Sequence, residues 1–79
     1  MSRSQDDLSP VAEMVAIQLG HAMPRPNDRL IEDLGAESAD LVNLAGAIDD
    51  RFGVFIGEED LAAIRTVADL EELVSRRQK

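Results

Sequence analysis

Apolar residues recur at intervals of three and four along most of this chain, which is the spacing of one buried helix face. A first helix is predicted to begin at Ser9 and Pro10, because serine is a good N-cap and proline suits the first helical position. Its predicted buried positions are Val11, Met14, Val15 and Leu19. Gly20 is predicted to end it. The polar residues 1–7 are expected to be frayed.

Residues 21–29 are predicted to form a loop, because two prolines and an Asn-Asp pair interrupt the helical spacing. Leu30, Ile31 and Leu34 follow, and we expect them to hold the end of this loop against the core. Gly35 breaks the chain just before the next helical pattern.

The clearest helical pattern runs from Ser38 to Gly53. Ser38 suits the N-cap position, and Asp40 falls in the first turn, where the helix dipole favours negative charge. The predicted buried face consists of Leu41, Leu44, Ala45, Ile48 and Phe52. Gly46, in the middle of this helix, costs about 1 kcal/mol relative to alanine. Either internal packing or the close approach of a partner would explain it.

The C-terminal third predicts two further helices. Residues 54–56 form a short apolar run, interpreted as a buried connector with Phe55, like Phe52, in the core. A short helix follows from Glu58, with Leu61 and Ile64 facing inward, and Thr66 begins the last helix with a capping box. The predicted buried face of that helix consists of Val67, Leu70, Leu73 and Val74. The sequence therefore predicts an all-α bundle of three to four helices, as one domain over residues 1–79.

Composition excludes several kinds of protein. The 79 residues include no cysteine and one histidine, so a disulfide framework, a zinc site and a histidine-based triad are not expected. A net charge of −8 without tyrosine or tryptophan argues against binding of nucleic acid. No apolar stretch is long enough to span a membrane and the N-terminus lacks an apolar signal region, so we expect a cytoplasmic protein.

Negative charge is concentrated in the middle of the chain. Residues 32–60 hold nine acidic residues and one base, so they carry the whole net charge of −8. A charge run is often only a solvated face. This asymmetry nevertheless favours a surface that attracts basic partners, with an attraction that weakens as salt is added.

No constellation of catalytic or metal-binding residues is apparent. Acidic residues are plentiful, but a few short helices offer no cleft in which paired carboxylates would act, and we expect neither intrinsic catalysis nor a metal site. Taken by itself, Ser38 would be interpreted as a helix cap.

The residues around Ser38 change that interpretation. Residues 32–40, Glu-Asp-Leu-Gly-Ala-Glu-Ser-Ala-Asp, resemble the phosphopantetheine attachment site of acyl carrier proteins, whose usual form is E-D-L-G-A-D-S-L-D. The resemblance continues through residues 41–42, 47–53, 56–60 and 64–70. It covers nearly the whole chain from about Val11 onward, with the helices in the expected order.

The resemblance implies that Ser38 carries 4′-phosphopantetheine and that acyl or related groups are held on this arm as thioesters for biosynthetic enzymes. The pathway would be fatty acid, polyketide or specialised lipid biosynthesis, and the cargo would be held between helices near Leu44, Ile48 and Ile64. The implied partners are a phosphopantetheinyl transferase and acyl-loading and acyl-processing enzymes with basic docking patches, and we expect a monomer. The implied acidic docking residues are Asp33, Glu37, Asp40, Asp49, Asp50 and Glu58. The residues that would tune the choice of enzyme are Ala39, Val42, Asn43 and Gly46.

The chain departs from the usual pattern at several of these positions. Glu37 replaces an aspartate, Ala39 replaces the leucine after the serine, and Gly57 stands where proline is common. Asn43 and Gly46 stand where glutamate and a large apolar residue are frequent. These differences favour a specialised carrier with its own enzymes. The alternative is a small acidic helical interaction module without a prosthetic group.

Overall fold

The computed structural model describes residues 9–78, and the regular structure within them is helical. Helix α1 spans Pro10–Leu19, α2 spans Ser38–Phe52, α3 spans Glu58–Ala63 and α4 spans Val67–Arg77. No strand occurs in this range, apart from one isolated bridge between Arg29 and Thr66. For these residues the prediction of an all-α bundle of three to four helices is therefore confirmed. The predicted frayed segment, residues 1–7, lies outside the described residues.

Helix α1 is at the centre of the packing, because it contacts both α2 and α4. The Ser9 hydroxyl accepts a hydrogen bond from the Ala12 N–H at 3.2 Å, which makes Ser9 the predicted N-cap. Gly20 ends the helix with a left-handed backbone, as expected. Val11 and Val15 are buried, while Met14 and Leu19 are half-buried against the core.

Helix α2 begins one residue earlier than predicted. Glu37 is the N-cap, with an extended backbone, and Ser38 is the first helical residue. The reason lies in Asp40, whose carboxylate accepts the backbone N–H of Glu37 at 3.0 Å and so fixes the cap three residues before it. The predicted buried face is confirmed for Leu41, Leu44, Ala45 and Ile48, whereas Phe52 is half-buried.

The long loop between α1 and α2 is anchored to the start of α4 by backbone hydrogen bonds. The carbonyl oxygens of Pro26 and Asp28 accept the N–H groups of Ala68 and Val67 at 2.9 and 3.1 Å. In return, the Leu30 N–H donates to the Arg65 carbonyl at 2.8 Å. These bonds satisfy amide groups at the N-terminus of α4 that would otherwise have no partner. They also fix the path of the chain that leads to Ser38.

The connector between α2 and α3 corrects one prediction. Val54 and Ile56 are buried, as expected, but Phe55 is 73% exposed rather than part of the core. In an extended segment alternate side chains point to opposite sides, so Phe55 faces outward when its two neighbours face inward.

Helices α3 and α4 differ in how firmly they are packed. Helix α4 has the predicted capping box, in which Thr66 Oγ1 accepts the Asp69 N–H at 3.1 Å and Asp69 accepts the Thr66 N–H at 3.2 Å. Its four predicted core residues are buried. Helix α3 has only six residues and none of them is buried, although Leu61 and the following Ile64 pack partly against the core. Of the helices in residues 9–78, none is long and apolar enough to cross a bilayer.

Candidate functional site

Ser38 lies exposed at the point where the loop becomes helix α2. The turn before it is closed by hydrogen bonds from the Gly35 N–H to the Ile31 carbonyl at 3.1 Å and from the Ala36 N–H to the Leu30 carbonyl at 2.9 Å. Gly35 has a φ of 74°, a conformation that residues with a side chain rarely adopt. Leu34 and Ala36 are buried on either side of it. The glycine therefore turns the chain so that the core is sealed while the serine hydroxyl faces outward.

The first turn of α2 leaves backbone donors free beside this hydroxyl. Among residues 9–78 no acceptor is hydrogen bonded to the N–H groups of Ser38 and Ala39. These groups lie at the positive end of the dipole of a 15-residue helix. Such a helix end favours a phosphate group, so the backbone here fits a phosphodiester on the Ser38 oxygen.

An open groove of about 640 Å³ lies next to Ser38. Its walls come from the loop before α2, from the first turns of α2, and from α3 with the linker after it. The lining residues are Leu30, Ile31, Glu32, Ser38, Leu41, Val42, Glu58, Leu61, Ala62, Ile64 and Arg65. An arm attached to Ser38 would therefore start at the edge of a partly apolar surface.

The groove differs from the cargo site that the resemblance implied. Ile64 lines it, as expected, but Leu44 and Ile48 are 2% and 0% exposed and belong to the core instead. They face the other helices, and the groove is a surface feature between α2 and α3. Glu32, Glu58 and Arg65 add charge to its rim.

Asp33 is engaged in the turn that precedes the site. Its Oδ2 accepts the Arg29 backbone N–H at 2.7 Å and the Arg29 Nε–H at 3.2 Å. The hydrogen bond from the Arg29 side chain, with the backbone bond beside it, lowers the pKa of Asp33 below its ordinary value. Arg29 also neutralises much of its charge, so Asp33 braces the loop more than it adds to a negative surface.

The other predicted acidic residues are placed differently from one another. Glu37, Asp49, Asp50 and Glu58 are exposed, and Glu58 lies at the start of α3 on the rim of the groove. Asp40 is half-buried, and its carboxylate is used in the cap of α2. Ala39, Val42, Asn43 and Gly46 are all exposed on α2, and Val42 also lines the groove. All ten predicted docking residues are thus on α2, beside it or at the start of α3.

Gly46 has no packing reason to be a glycine. A Cβ atom added at this position would meet no atom within 4 Å. The sequence left two explanations for this glycine. Internal packing is excluded, and the close approach of a partner remains.

Within residues 9–78 no hydrogen bond joins the Ser38 hydroxyl to a histidine or carboxylate side chain. His21, the one histidine, is an exposed loop residue whose Nδ1 lies 3.0 Å from the Ala22 carbonyl oxygen. Within the described part of the chain no three His, Asp or Glu side chains are grouped so that they would hold a metal ion.

Comparison with known proteins agrees with this geometry. Residues 9–74 match the family model described as a phosphopantetheine attachment site. The chain belongs to the acyl carrier protein family. It is similar to an acyl carrier protein of Syntrophobacter fumaroxidans, with 35% identity over 68 residues that cover 84% of each chain.

Membership of the acyl carrier protein family identifies the cofactor as covalently attached 4′-phosphopantetheine. Acyl carrier proteins are carriers and not enzymes, which confirms the expected absence of intrinsic catalysis. Members of the family work with phosphopantetheinyl transferases and with acyl-processing enzymes in general.

Sequence reasoning missed one contact of this acyl carrier protein. Arg77, in the last turn of α4, donates two hydrogen bonds to the Asp60 carboxylate of α3, at 2.7 and 3.0 Å. The two residues are 17 positions apart, and no periodic pattern connects them. Their opposite charges were visible in the sequence, but only the fold brings them together.

Proposed function

We propose that Ser38 carries the 4′-phosphopantetheine arm and that the chain presents acyl or related groups on it to the enzymes of a specialised biosynthetic pathway. The observation that carries this proposal is the exposed Ser38 hydroxyl at the start of α2 and at the edge of the groove. When the arm is attached, its terminal thiol supplies the thioester link to the cargo.

The residues around Ser38 have separate tasks in this proposal. The N–H groups of Ser38 and Ala39 would hold the phosphodiester by hydrogen bonding and through the dipole of α2. Gly35 keeps the hydroxyl accessible to a transferase, and Ala39 leaves room beside it. The fold then supplies position, because tethering raises the concentration of the cargo at each enzyme that binds the carrier.

The docking surface is proposed to consist of the predicted acidic and tuning residues, with unequal contributions. Glu37, Asp49, Asp50 and Glu58 are exposed and have no ion pair within residues 9–78, so they project most of the negative field. Asp33 and Asp40 act mainly through the loop and the cap that they hold. Basic patches on the enzymes are attracted by this field, which changes association rates more than dissociation rates.

The small residues on the exposed face of α2 support the specialised role. Ala39, Asn43 and Gly46 give this face a flatter surface than large side chains would, so an enzyme with its own matching shape is expected to bind it. Fatty acid, polyketide and specialised lipid biosynthesis are the candidate pathways. A cytoplasmic, monomeric carrier made of one domain stays our prediction.

The attachment site is tested by intact mass. The purified protein is incubated with coenzyme A and phosphopantetheinyl transferases, including one from the native host. We expect one added phosphopantetheine in the wild type and in Ser75→Ala, which removes another exposed serine, but none in Ser38→Ala. An unmodified wild type with every transferase would support the alternative, an acidic interaction module without a prosthetic group.

The docking surface is tested by the rate of this modification. Asp49→Asn with Asp50→Asn should slow the reaction at low salt and lose its effect at high salt, because added ions screen the exposed charges. Glu13→Gln with Glu72→Gln is the control, since it removes the same charge from exposed acids of α1 and α4 instead of α2. An equal effect of the control would show that net charge matters and that the position of the acids does not.

A further inference from the structure

Helix α3 lies between two open spaces. Glu58, Leu61 and Ala62 line the groove beside Ser38. On the side toward α4, Asp60 and Ala63 line a second cleft of about 230 Å³. With no buried residue, and with Leu61 only partly packed against the core, α3 has little apolar contact to hold it in place.

Arg77 bridges the second cleft. Its Nη1 and Nη2 groups donate to the two carboxylate oxygens of Asp60 at 2.7 and 3.0 Å, and Nη1 also donates to the Phe55 carbonyl at 3.1 Å. The two-pronged geometry suits a guanidinium group and a carboxylate. Arg77 thereby connects the end of α4 both to α3 and to the connector before it.

Asp60 also ties α3 to its own N-terminus. The same Oδ2 atom that receives Arg77 accepts the Gly57 backbone N–H at 3.1 Å. Arg77, Asp60 and Gly57 therefore form one chain of hydrogen bonds across the start of α3. Loss of the arginine would release the helix at the end that lies nearest to the connector.

We propose that Arg77 is the positioning residue for α3 and thereby sets the width of the groove beside Ser38. When Arg77 is bound to Asp60, α3 stands as a closed wall of the groove. When the contact breaks, α3 moves away from α2, and the groove opens to a longer cargo. The effect of Arg77 on the cargo rests on the proposed carrier function. The restraint of α3 by Arg77 does not depend on that function.

Hydrogen exchange on the unmodified protein tests the restraint. The reporters are the amides of Leu61 and Ile64, which donate within α3 to Gly57 and Asp60. Arg77→Gln should speed their exchange roughly two- to fivefold, as expected for an exposed ion pair, and leave the Ile48 amide unchanged. Arg76→Gln is the matched control, because it removes the same charge from the same turn without touching Asp60. Equal exchange of α3 in the two variants would overturn the proposal.

A salt titration of the wild type covers the case in which Arg77→Gln unfolds. Salt near 1 M should weaken the ion pair and speed exchange at Leu61 and Ile64, while it slows exchange in the acidic helix α2 by screening repulsion. Arg77→Lys should fall between wild type and Arg77→Gln, since an ammonium group cannot form the two-pronged contact. A uniform response of α2 and α3 to salt would contradict the special role of Arg77.

The effect on cargo is measured after loading from butyryl- or octanoyl-coenzyme A. The quantity measured is the rate at which hydroxylamine cleaves the octanoyl thioester divided by the rate for the butyryl thioester. This ratio should fall in Arg77→Gln but not in Arg76→Gln. An unchanged ratio would contradict the claim that the position of α3 sets the width of the groove. A failure of loading itself would instead contradict the proposed function, so the two ideas fail separately.

Discussion

Replacement of Gly46 by alanine gives the sharpest test of the link between surface shape and function. Gly46 lies near the middle of α2, is exposed, and would place an added Cβ in open space. Alanine should therefore stabilise the protein by about 1 kcal/mol, the difference in helix propensity between the two residues. For a domain of this size the expected rise in Tm is about 4–8 °C.

Gly53→Ala is the matched control for this substitution. Gly53 also has no atom within 4 Å of an added Cβ, but its φ is 70° because it ends α2. Alanine is strained in that conformation, so Gly53→Ala should lower the Tm. The two glycines thus differ in backbone conformation and not in available space.

Thermal unfolding and urea denaturation measure both variants, and the rate of phosphopantetheine transfer reports on docking. We expect Gly46→Ala to melt higher than wild type and yet to be modified more slowly, because the added methyl group lies on the proposed docking face. A lower Tm would refute the assignment of Gly46 to an open helical surface. A higher Tm with an unchanged transfer rate, and unchanged activity with the cognate enzymes, would remove the partner explanation for this glycine.

Three further outcomes are expected. Ile48→Ala should cost about 2–5 kcal/mol in urea denaturation, because Ile48 is 0% exposed; a cost below about 1 kcal/mol would contradict its place in the core. Millimolar magnesium should raise the Tm at low ionic strength by screening the exposed acids, and no shift there would count against a crowded acidic surface. Acid should release α3 locally. The hydrogen bond from Arg77 lowers the pKa of Asp60 below its ordinary value, so the stabilising effect of the pair is complete above the ordinary carboxyl pKa and is lost as the pH falls through the lowered one. Nuclear magnetic resonance of the Leu61 and Ile64 amides would detect this release, and an identical pH dependence in wild type and Arg77→Gln would refute it.

Most of the helices could be predicted from the sequence because their signals are local. Ser9 with Pro10, Thr66 with Asp69, and the glycines after α1 and α2 each act within a few residues, and the structure has them in the predicted roles. The cap of α2 was misplaced, since Ser38 was predicted as the N-cap from its residue type and Glu37 occupies that position. The position of Asp40 decided between them through a hydrogen bond that the sequence does not display.

The parts that could not be predicted depend on contacts between distant residues. Phe55 was expected in the core because it is aromatic, yet burial of Val54 and Ile56 directs it outward. The groove beside Ser38 combines three separate segments, and its outer wall is held by Arg77 from the far end of the chain. Local periodicity carries no information about such a contact. The proposed attachment serine could be named from the sequence because its flanking residues form a contiguous motif.

The backbone bonds between the long loop and α4 have a consequence for the order of events during synthesis. The carbonyls of Pro26 and Asp28 are paired with amides of Val67 and Ala68, about forty residues further along the chain. During synthesis, Ser38 therefore emerges from the ribosome well before Val67 and Ala68, whose amides hold the preceding loop in place. We expect the transferase to act on finished chains, and nascent chains stalled before residue 65 to be poor substrates.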